Sequence, residues 1–292
     1  MIIKHMNVVI TGKNGYIGTS ISKRLQAEGY QVKMLDMRSD EWKKQSFAGT
    51  DVVIHCAALV HAKQGEYSFD DYYKVNVTLT EELARKAKAE GVRRFCFISS
   101  IAVYGVGSSC FSDNIITPNT PVLPKTDYGV TKAIAEQKLL QMDCSDFSVL
   151  ILRLPFVYGK GCPGNYQSLR KLILKVRVIP TIKNQISMIY IGNLTEFLCC
   201  VLARDVKGIF IPQNSTIHST DEMASLIARY NAVKVLRIGL FNPLIKLLSL
   251  GIKQIRTAFG NEVCSYELGL QGVDSYEVVD FEESLRLTES GK

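Results

Sequence analysis

A tyrosine and a lysine stand four residues apart in the segment YGVTK, at Tyr128 and Lys132. On a helix, positions i and i+4 lie on the same face, so this spacing brings the phenol and the ammonium together. A phenol has a reference pKa of about 10 and is a poor base at neutral pH. Because a nearby positive charge favours the phenolate, the lysine would lower that pKa. The pair is either a proton-transfer device or an ordinary surface pair, and the rest of the chain has to decide.

A glycine-rich turn, TGKNGYIG, supplies a second chemical signal between a predicted strand and a predicted helix. Glycines there let the backbone approach a pyrophosphate, and the helix N-terminus offers it free N–H groups and a partial positive charge. Asp36 lies eighteen residues after Gly18, at the end of the second predicted strand. An acid at this place typically bonds an adenosine ribose, so the pattern predicts a dinucleotide site.

Strand and helix patterns alternate along the first half of the chain, which predicts a doubly wound parallel α/β sheet of the Rossmann type. The predicted strands are continuous apolar runs, as expected when helices cover both faces: Asn7–Thr11, Gln31–Asp36, Asp51–His55, Arg94–Ile98 and Ser148–Arg153. The predicted helices are Gly15–Glu28, Phe69–Glu90 and Asp127–Met142. Only fourteen residues separate Asp36 from Asp51, so we expect the crossover there to shrink to one short helix around Glu41 to Phe47.

After Arg153 the regular alternation of strand and helix patterns ends, and this predicts a second, smaller lobe at the C-terminal end. We expect a dinucleotide-binding domain over residues 1–155, to which residues 186–212 return through strands at Ser187–Ile191 and Gly208–Ile211. Residues 156–185 and 213–292 would then form a mostly helical substrate-binding lobe.

The composition is that of a globular protein, with 47% hydrophobic and 22% charged residues among 292. A net charge of +7 suits an anionic substrate or cofactor, but without a long basic run or zinc-finger spacing it does not indicate a nucleic-acid partner. Eight cysteines without a CxxC pair, and an N-terminus without a signal-peptide pattern, predict a reduced, cytoplasmic protein. His5, His55 and His218 form no ligand cluster, so we expect no metal site.

The most apolar late segment is Ile238–Ile252, IGLFNPLIKLLSLGI. It is too short to span a bilayer and contains Pro243 and Lys246. With basic residues on both sides it could lie on a membrane surface. We expect instead a helix packed inside the second lobe, and no membrane contact.

Six motifs, in one order from about residue 7 to 211, resemble the extended short-chain dehydrogenase/reductase family of the NAD-dependent epimerase/dehydratase type. TGKNGYIG has the spacing of that family's TGxxGxxG, and YGVTK that of its YxxxK. DVVIHCAALVHA, YYKVNV, FCFISSIAVYG and LRLPFVYGKG resemble its remaining segments. The resemblance implies a Rossmann-fold enzyme that uses NAD or NADP.

The resemblance also implies roles for individual residues. Tyr128 would be the acid/base on a sugar hydroxyl or carbonyl, and Lys132 would lower the tyrosine pKa and hold the nicotinamide ribose. Ser100 would bond the reacting oxygen, with Ser99 as the fallback. The residues implied to line the dinucleotide are Gly12, Asn14, Gly15, Tyr16, Ile17, Gly18, Asp36, Arg38, Ala57, Ala58, Asn76, Ser99, Tyr128, Lys132, Leu154 and Pro155. Ser100, Phe156 and Asn165 would meet the substrate.

Within the family, the two residues after Ser100 reduce the number of possible reactions. Dehydratases carry an Asp-Glu pair where this chain has Ile101 and Ala102, so dehydration is disfavoured. The chain looks most similar to 4-ketoreductases of the UDP-N-acetylquinovosamine type and to UDP-sugar 4-epimerases. We favour the ketoreductase, because the shortened crossover between Asp36 and Asp51 leaves fewer residues around the adenine side of the cofactor site. The cofactor would then exchange more easily. The epimerase is the alternative, and a non-catalytic NAD(P)-binding regulator a distant one.

Cofactor and substrate selection leave alternatives open. Asp36 repels a 2′-phosphate and favours NAD, whereas Lys13 and Arg38 favour NADP; Asp36 tips our prediction slightly to NAD. Gln185 and Ile186 stand where relatives carry diphosphate-binding arginines, and the candidate substitutes are Lys183, Arg170 and Lys171. His61, in the loop after the third strand, is a further candidate to face the substrate. We expect a homodimer.

Overall fold

The computed structural model describes residues 6–60, 66–204, 206–265, 267 and 276–290. The chain divides into two compact units. Unit 1 comprises Met1–Gly105, Pro121–Leu154 and Thr195–Ile211, and unit 2 comprises Val106–Thr120, Pro155–Leu194 and Pro212–Lys292.

Strands and helices alternate through the described residues. The strands are β1 Asn7–Thr11, β2 Gln31–Leu35, β3 Val52–His55, β4 Arg94–Ser100, β5 Ile115–Ile116, β6 Ser148–Leu154, β7 Phe156–Tyr158, β8 Val178–Pro180, β9 Met188–Tyr190, β10 Gly208–Phe210, β11 Leu236–Ile238 and β12 Val263–Cys264. The helices are α1 Tyr16–Ala27, α2 Phe69–Tyr73, α3 Leu79–Ala89, α4 Asp127–Leu140, α5 Asn165–Val176, α6 Ile191–Ala203, α7 Thr220–Tyr230, α8 Asn242–Leu248, α9 Lys253–Phe259 and α10 Phe281–Glu289.

A six-stranded parallel sheet forms the centre of unit 1, in the order β10-β6-β4-β3-β1-β2. The chain leaves β1 towards β2 on one side and then crosses to β3 on the other. The carboxyl ends of β1 and β3 therefore border the crevice where parallel α/β sheets bind their ligands. The predicted doubly wound Rossmann fold is confirmed.

The shortened crossover is also confirmed. The segment from residue 36 to residue 51 contains a single 3-10 helix, Asp40–Lys44. No further strand lies beyond β2, which is therefore the edge of the sheet that the structure describes. Trp42 and Phe47 from this segment are buried in the core cluster that also contains residues of α3 and α4. Glu90 fixes the segment from the other side, because its carboxylate accepts a hydrogen bond from the backbone N–H of Phe47 at 2.6 Å.

Unit 2 is built from helices and three two-stranded parallel pairs, β11-β8, β12-β5 and β7-β9. Tyr158 is fully buried, and its hydroxyl bonds Ser284 at 2.6 Å and accepts from Asn214 at 3.1 Å. A second internal group joins Arg170, Asn231 and Glu289 through hydrogen bonds of 2.6 to 2.9 Å. These contacts join α5 and α7 to α10.

Two predictions about the second half of the chain were wrong. The strand expected at Ser187–Ile191 does not return to the main sheet; β9 pairs with β7, and only β10 joins β6. The segment Ile238–Ile252 is not packed inside a lobe, since α8 contains no buried residue. No helix in the described part of the chain is long and apolar enough to cross a membrane.

Candidate active site

The glycine turn after β1 has a geometry that only glycine allows at two positions. Gly12 has φ +82°, and a Cβ there would lie 3.2 Å from the backbone nitrogen of Ala57. A Cβ on Gly18 would lie 2.9 Å from the carbonyl oxygen of Gly12, closer than side-chain carbons pack. Gly15, the N-cap residue of α1, has no side chain to cap the helix, and the first turn of α1 carries no acidic residue. The turn therefore fits the pyrophosphate of a dinucleotide.

The end of β2 presents an ion pair rather than a lone carboxylate. The guanidinium and backbone N–H of Arg38 both donate to Asp36, with Nε at 2.9 Å and the amide at 3.0 Å from Oδ1. These hydrogen bonds lower the pKa of Asp36 to about 2. An ionised carboxylate can accept from ribose hydroxyls, and a neighbouring guanidinium can face a phosphate. The pair thus presents both the carboxylate that favours NAD and the guanidinium that favours NADP.

Two buried side chains fix the backbone after β3. The Thr11 hydroxyl accepts from the backbone N–H groups of Cys56 and Ala57, each at 3.1 Å. Asn76 accepts from the N–H of Leu59 at 2.8 Å and donates to its carbonyl at 3.0 Å. The amide also donates to Thr131 at 3.1 Å. Asn76 was expected to line the dinucleotide, but both N–H donors of its amide are used within the protein.

The structure brings Ser100 and Tyr128 together. Ser100 ends β4; its hydroxyl accepts from the backbone N–H of Ala102 at 3.2 Å, and its interaction with the Tyr128 phenol acts to lower the pKa of that phenol, against the larger effect of burial. Thr126 caps α4 by accepting from the N–H of Gly129 at 3.1 Å, which places Tyr128 in the first turn of the helix. A Cβ on Gly129 would lie 2.6 Å from the carbonyl oxygen of Ala102. The glycine beside the tyrosine therefore allows α4 to approach the turn that begins after Ser100.

Lys132 lies one turn further along α4 and is buried. Its Nζ donates to the carbonyl oxygen of Ile98 at 2.7 Å and lies 4.3 Å from the centre of the Phe97 ring. Burial lowers the pKa of Lys132 to about 8, against the opposing effects of Cys56 and Glu136.

The surroundings of the Tyr128 phenol act on its pKa in the direction opposite to the one expected from Lys132. Burial raises the pKa of Tyr128 to about 12, and the interaction with Ser100 opposes that rise only in part. The phenol is therefore neutral at physiological pH. In this state it is a proton donor rather than a base.

Ser99, the fallback for Ser100, takes part in a different structure. Its side chain is buried and donates to the carboxylate of Glu136. Arg153 binds the same carboxylate through Nε at 3.1 Å and Nη2 at 2.6 Å, and donates to the Tyr104 hydroxyl at 2.8 Å. This group ties α4 to β4 and β6 beneath the Tyr128 and Lys132 turn. Sequence reasoning missed Glu136 and Arg153, although Glu136 continues the i, i+4 spacing of the pair.

The remaining predicted residues are distributed over both units. Asn14 and Gly15 are exposed and Tyr16 and Ile17 half-buried around the start of α1, Ala58 is half-buried after β3, and Leu154 pairs with Ser100 between β6 and β4. In unit 2, Pro155 is buried, Phe156 stacks on Tyr158 with ring centres 6.5 Å apart, and Asn165 is the exposed first residue of α5. His61 lies outside the described residues.

The candidates for the missing diphosphate-binding arginines differ in their surroundings. Arg170 is held by Glu289 and Asn231 and is engaged within unit 2. Lys171 and Lys183 are exposed, and Lys183 lines a cavity of about 410 Å³ together with Asn184 and Asn261. In the part of the chain that the structure describes, no group of three His, Cys, Asp or Glu residues could hold a metal ion.

A parallel doubly wound sheet has the architecture of a short-chain dehydrogenase/reductase when a glycine turn follows its first strand, a serine ends a central strand, and a tyrosine and a lysine lie on the helix beside that serine. The chain belongs to the NAD dependent epimerase/dehydratase family, whose model matches residues 8–208. The family resemblance is thereby confirmed, and with it the use of NAD or NADP.

Several relatives of known activity are similar to this chain. A UDP-glucose 4-epimerase of Vibrio cholerae is 29% identical over 76% of this chain and 75% of that protein. The N-acetyl-alpha-D-glucosaminyl-diphospho-ditrans,octacis-undecaprenol 4-epimerase of Escherichia coli O157:H7 is 29% identical over 66% of this chain and 62% of that protein. The dTDP-4-dehydrorhamnose reductase of Bacillus anthracis, solved with NADP, has a TM-score of 0.73 at 20% identity, covering 98% of this chain and 99% of that one. The chain spans about half to three quarters of the length of the curated relatives it matches.

Proposed function

We propose that the protein is an NAD(P)-dependent 4-ketoreductase that reduces the C4 carbonyl of a nucleotide sugar, with UDP as the expected nucleotide. The observation that carries this proposal is the Tyr128 phenol beside Ser100, kept protonated because burial raises its pKa to about 12. A carbonyl oxygen that becomes a hydroxyl must gain a proton, and a phenol with a raised pKa has that proton to give.

Each member of the group has a defined task in this proposal. When bound, the nicotinamide supplies the hydride. Tyr128 donates the proton to the carbonyl oxygen, and Ser100 holds that oxygen by a hydrogen bond. Lys132, with one of its three donors on Ile98, keeps a positive charge beside the site and offers its other donors to a ribose. Glu136 and Arg153 hold α4 in register with the strands.

In this proposal the glycine turn would hold the dinucleotide. Gly12 and Gly18 leave room for the backbone to approach a pyrophosphate, and the N–H groups in the first turn of α1 would bind it. Asp36 would accept from the adenosine ribose, which supports the slight preference for NAD. Phe156 and Asn165 remain our candidates for contact with the sugar.

The edge position of β2 supports reduction over epimerisation. With one 3-10 helix in place of a full crossover, fewer residues wall the adenine side. A reductase must release its cofactor after every turnover, whereas an epimerase must retain it for the returning hydride. An open edge suits the enzyme that exchanges its cofactor.

A 4-epimerase is the second candidate, and the two curated relatives named above favour it. By its name, the Escherichia coli relative acts on a sugar linked through a diphosphate to undecaprenol. The substrate of an epimerase in this chain would accordingly be a sugar on a diphosphate, carried by a nucleoside or by a polyprenol.

The test supplies a UDP-4-keto-6-deoxy-N-acetylhexosamine together with NADH or NADPH, and monitors absorbance at the nicotinamide band. Stoichiometric oxidation by the wild type, lost in Tyr128→Phe, supports the reductase. No oxidation, together with interconversion of UDP-GlcNAc and UDP-GalNAc without added cofactor, would establish the epimerase instead. Binding of NAD(P) without either reaction would leave the non-catalytic regulator.

A further inference from the structure

A band of apolar side chains on unit 2 faces solvent. Eight large hydrophobic residues between positions 236 and 252 are at least 41% exposed, and Leu240, at 81%, is the most exposed of all large hydrophobic side chains in the described residues. They are Leu236, Leu240, Phe241, Leu244, Leu247, Leu248, Leu250 and Ile252. We call this set the apolar band.

The local geometry of α8 and of β11 leaves these side chains exposed. Leu244, Leu247 and Leu248 have i, i+3 and i, i+4 spacing on α8 and so share a helix face. Leu236 of β11 pairs in register with Val178 of β8, and both are exposed while the adjacent Ile179 is buried. Exposed apolar residues therefore occur both on α8 and on the pair of short strands. Exposed apolar patches that exceed single scattered residues typically mark an interaction site.

Within the stretch of sequence that carries the band, all charged residues are basic. From Asn231 to Asn261 the sequence contains no aspartate or glutamate, but five basic residues: Lys234, Arg237, Lys246, Lys253 and Arg256. Arg237 pairs with Asp221. Lys234, Lys246 and Arg256 make no ion pair with any residue that the structure describes. Lys175 and Arg177, next to Val178, add two more exposed cations.

We propose that the apolar band and its cations dock unit 2 on the surface of an anionic lipid membrane. Leucine and phenylalanine side chains enter the boundary between headgroups and acyl chains, while lysine and arginine remain at the level of the lipid phosphates. This inference is independent of the proposed reaction. It revises the expectation that the segment makes no membrane contact, because that expectation required the segment to be packed.

A second copy of the chain fits the same surface less well. In a two-fold symmetric dimer, the same patch would meet itself and bring like charges together, with no acidic residue between positions 231 and 261 to pair them. Protein interfaces are also depleted of lysine. Anionic headgroups supply the missing negative charge.

The experiment measures binding of the purified full-length protein to vesicles by flotation. The vesicles contain phosphatidylcholine either alone or with about 30% phosphatidylglycerol, since anionic lipid is the proposed partner. The variant Leu247→Ser/Leu248→Ser removes side chains that are 62% and 41% exposed. The matched control, Leu123→Ser/Leu140→Ser, removes leucines of unit 1 that are 62% and 42% exposed.

We expect the wild type to bind anionic vesicles about tenfold more tightly than neutral ones, and to lose binding as salt screens the cations. The Leu247/Leu248 variant should bind at least about tenfold more weakly, and the control within about twofold of the wild type. Absence of vesicle binding, or equal losses in both variants, would overturn the proposal. So would a dimer in sedimentation that dissociates in the Leu247/Leu248 variant but whose wild type does not float.

Discussion

Replacing Gly129 by alanine tests whether the close approach of α4 sets the position of Tyr128. The added Cβ would lie 2.6 Å from the Ala102 carbonyl oxygen, and ordinary contact begins at 3.4 Å. The first turn of α4, or the turn after Ser100, must therefore move by about 0.8 Å, and a misplacement near 1 Å can cost about 10²-fold in rate. We expect kcat to fall by about 10- to 100-fold.

Stability responds much less to the same change. Alanine is favoured over glycine in a helix by up to about 1 kcal/mol, whereas overpacking costs about 1–3 kcal/mol. The net loss of about 1 kcal/mol corresponds to a Tm lower by about 2–4 °C, so the variant is folded at assay temperature. Steady-state kinetics and thermal unfolding are measured together, with Gly251→Ala as the control, since no atom lies within 4 Å of its added Cβ. A Gly129→Ala enzyme with wild-type kcat would refute the reasoning.

Three further predictions concern single groups. Tyr128→Phe should lower kcat by about 10²–10⁴-fold while NAD(P) binding, measured by calorimetry, is retained, and undiminished turnover would remove Tyr128 from the mechanism. Burial lowers the pKa of His55 to about 3 in the folded state. The histidine of the unfolded chain therefore binds a proton at a pH where the folded protein does not, and stability decreases as pH falls through about 6.5. The unfolding free energy should drop by about 2 kcal/mol at pH 5, and urea titrations of His55→Asn should lack this pH-dependent loss. Arg38→Ala should weaken NADPH binding about tenfold relative to NADH, because Asp36 then faces the 2′-phosphate without its guanidinium, and an unchanged ratio in binding titrations would exclude Arg38 from cofactor selection.

The nucleotide-binding half could be predicted because its signals are local. Apolar runs bounded by glycine gave β1 to β4 to within two residues, and fourteen residues between Asp36 and Asp51 left no room for a full crossover. The partner of a three-residue strand is a long-range choice that no local pattern contains. Hence β9 was assigned to the wrong sheet.

Burial was the quantity that the sequence could not supply. The spacing of Tyr128 and Lys132 is visible in the letters, but the direction of the phenol's pKa depends on how deeply it is enclosed. Side chains alternate across a strand, so either Ser99 or Ser100 could face the site; only the structure shows that Ser99 turns to Glu136. In α8 an apolar run was interpreted as core because hydrophobic periodicity does not distinguish a packed face from an unpartnered one.

Isotope transfer tests the central claim most directly. The protein is incubated with a UDP-4-keto-6-deoxy-N-acetylhexosamine and a reduced nicotinamide cofactor that carries deuterium at both positions of its hydride-donating carbon, and the sugar product is analysed by mass spectrometry and NMR. Hydride transfer to C4 predicts one deuterium, located at C4, in each product molecule. A reduced product without deuterium, or with deuterium at another carbon, would contradict the account.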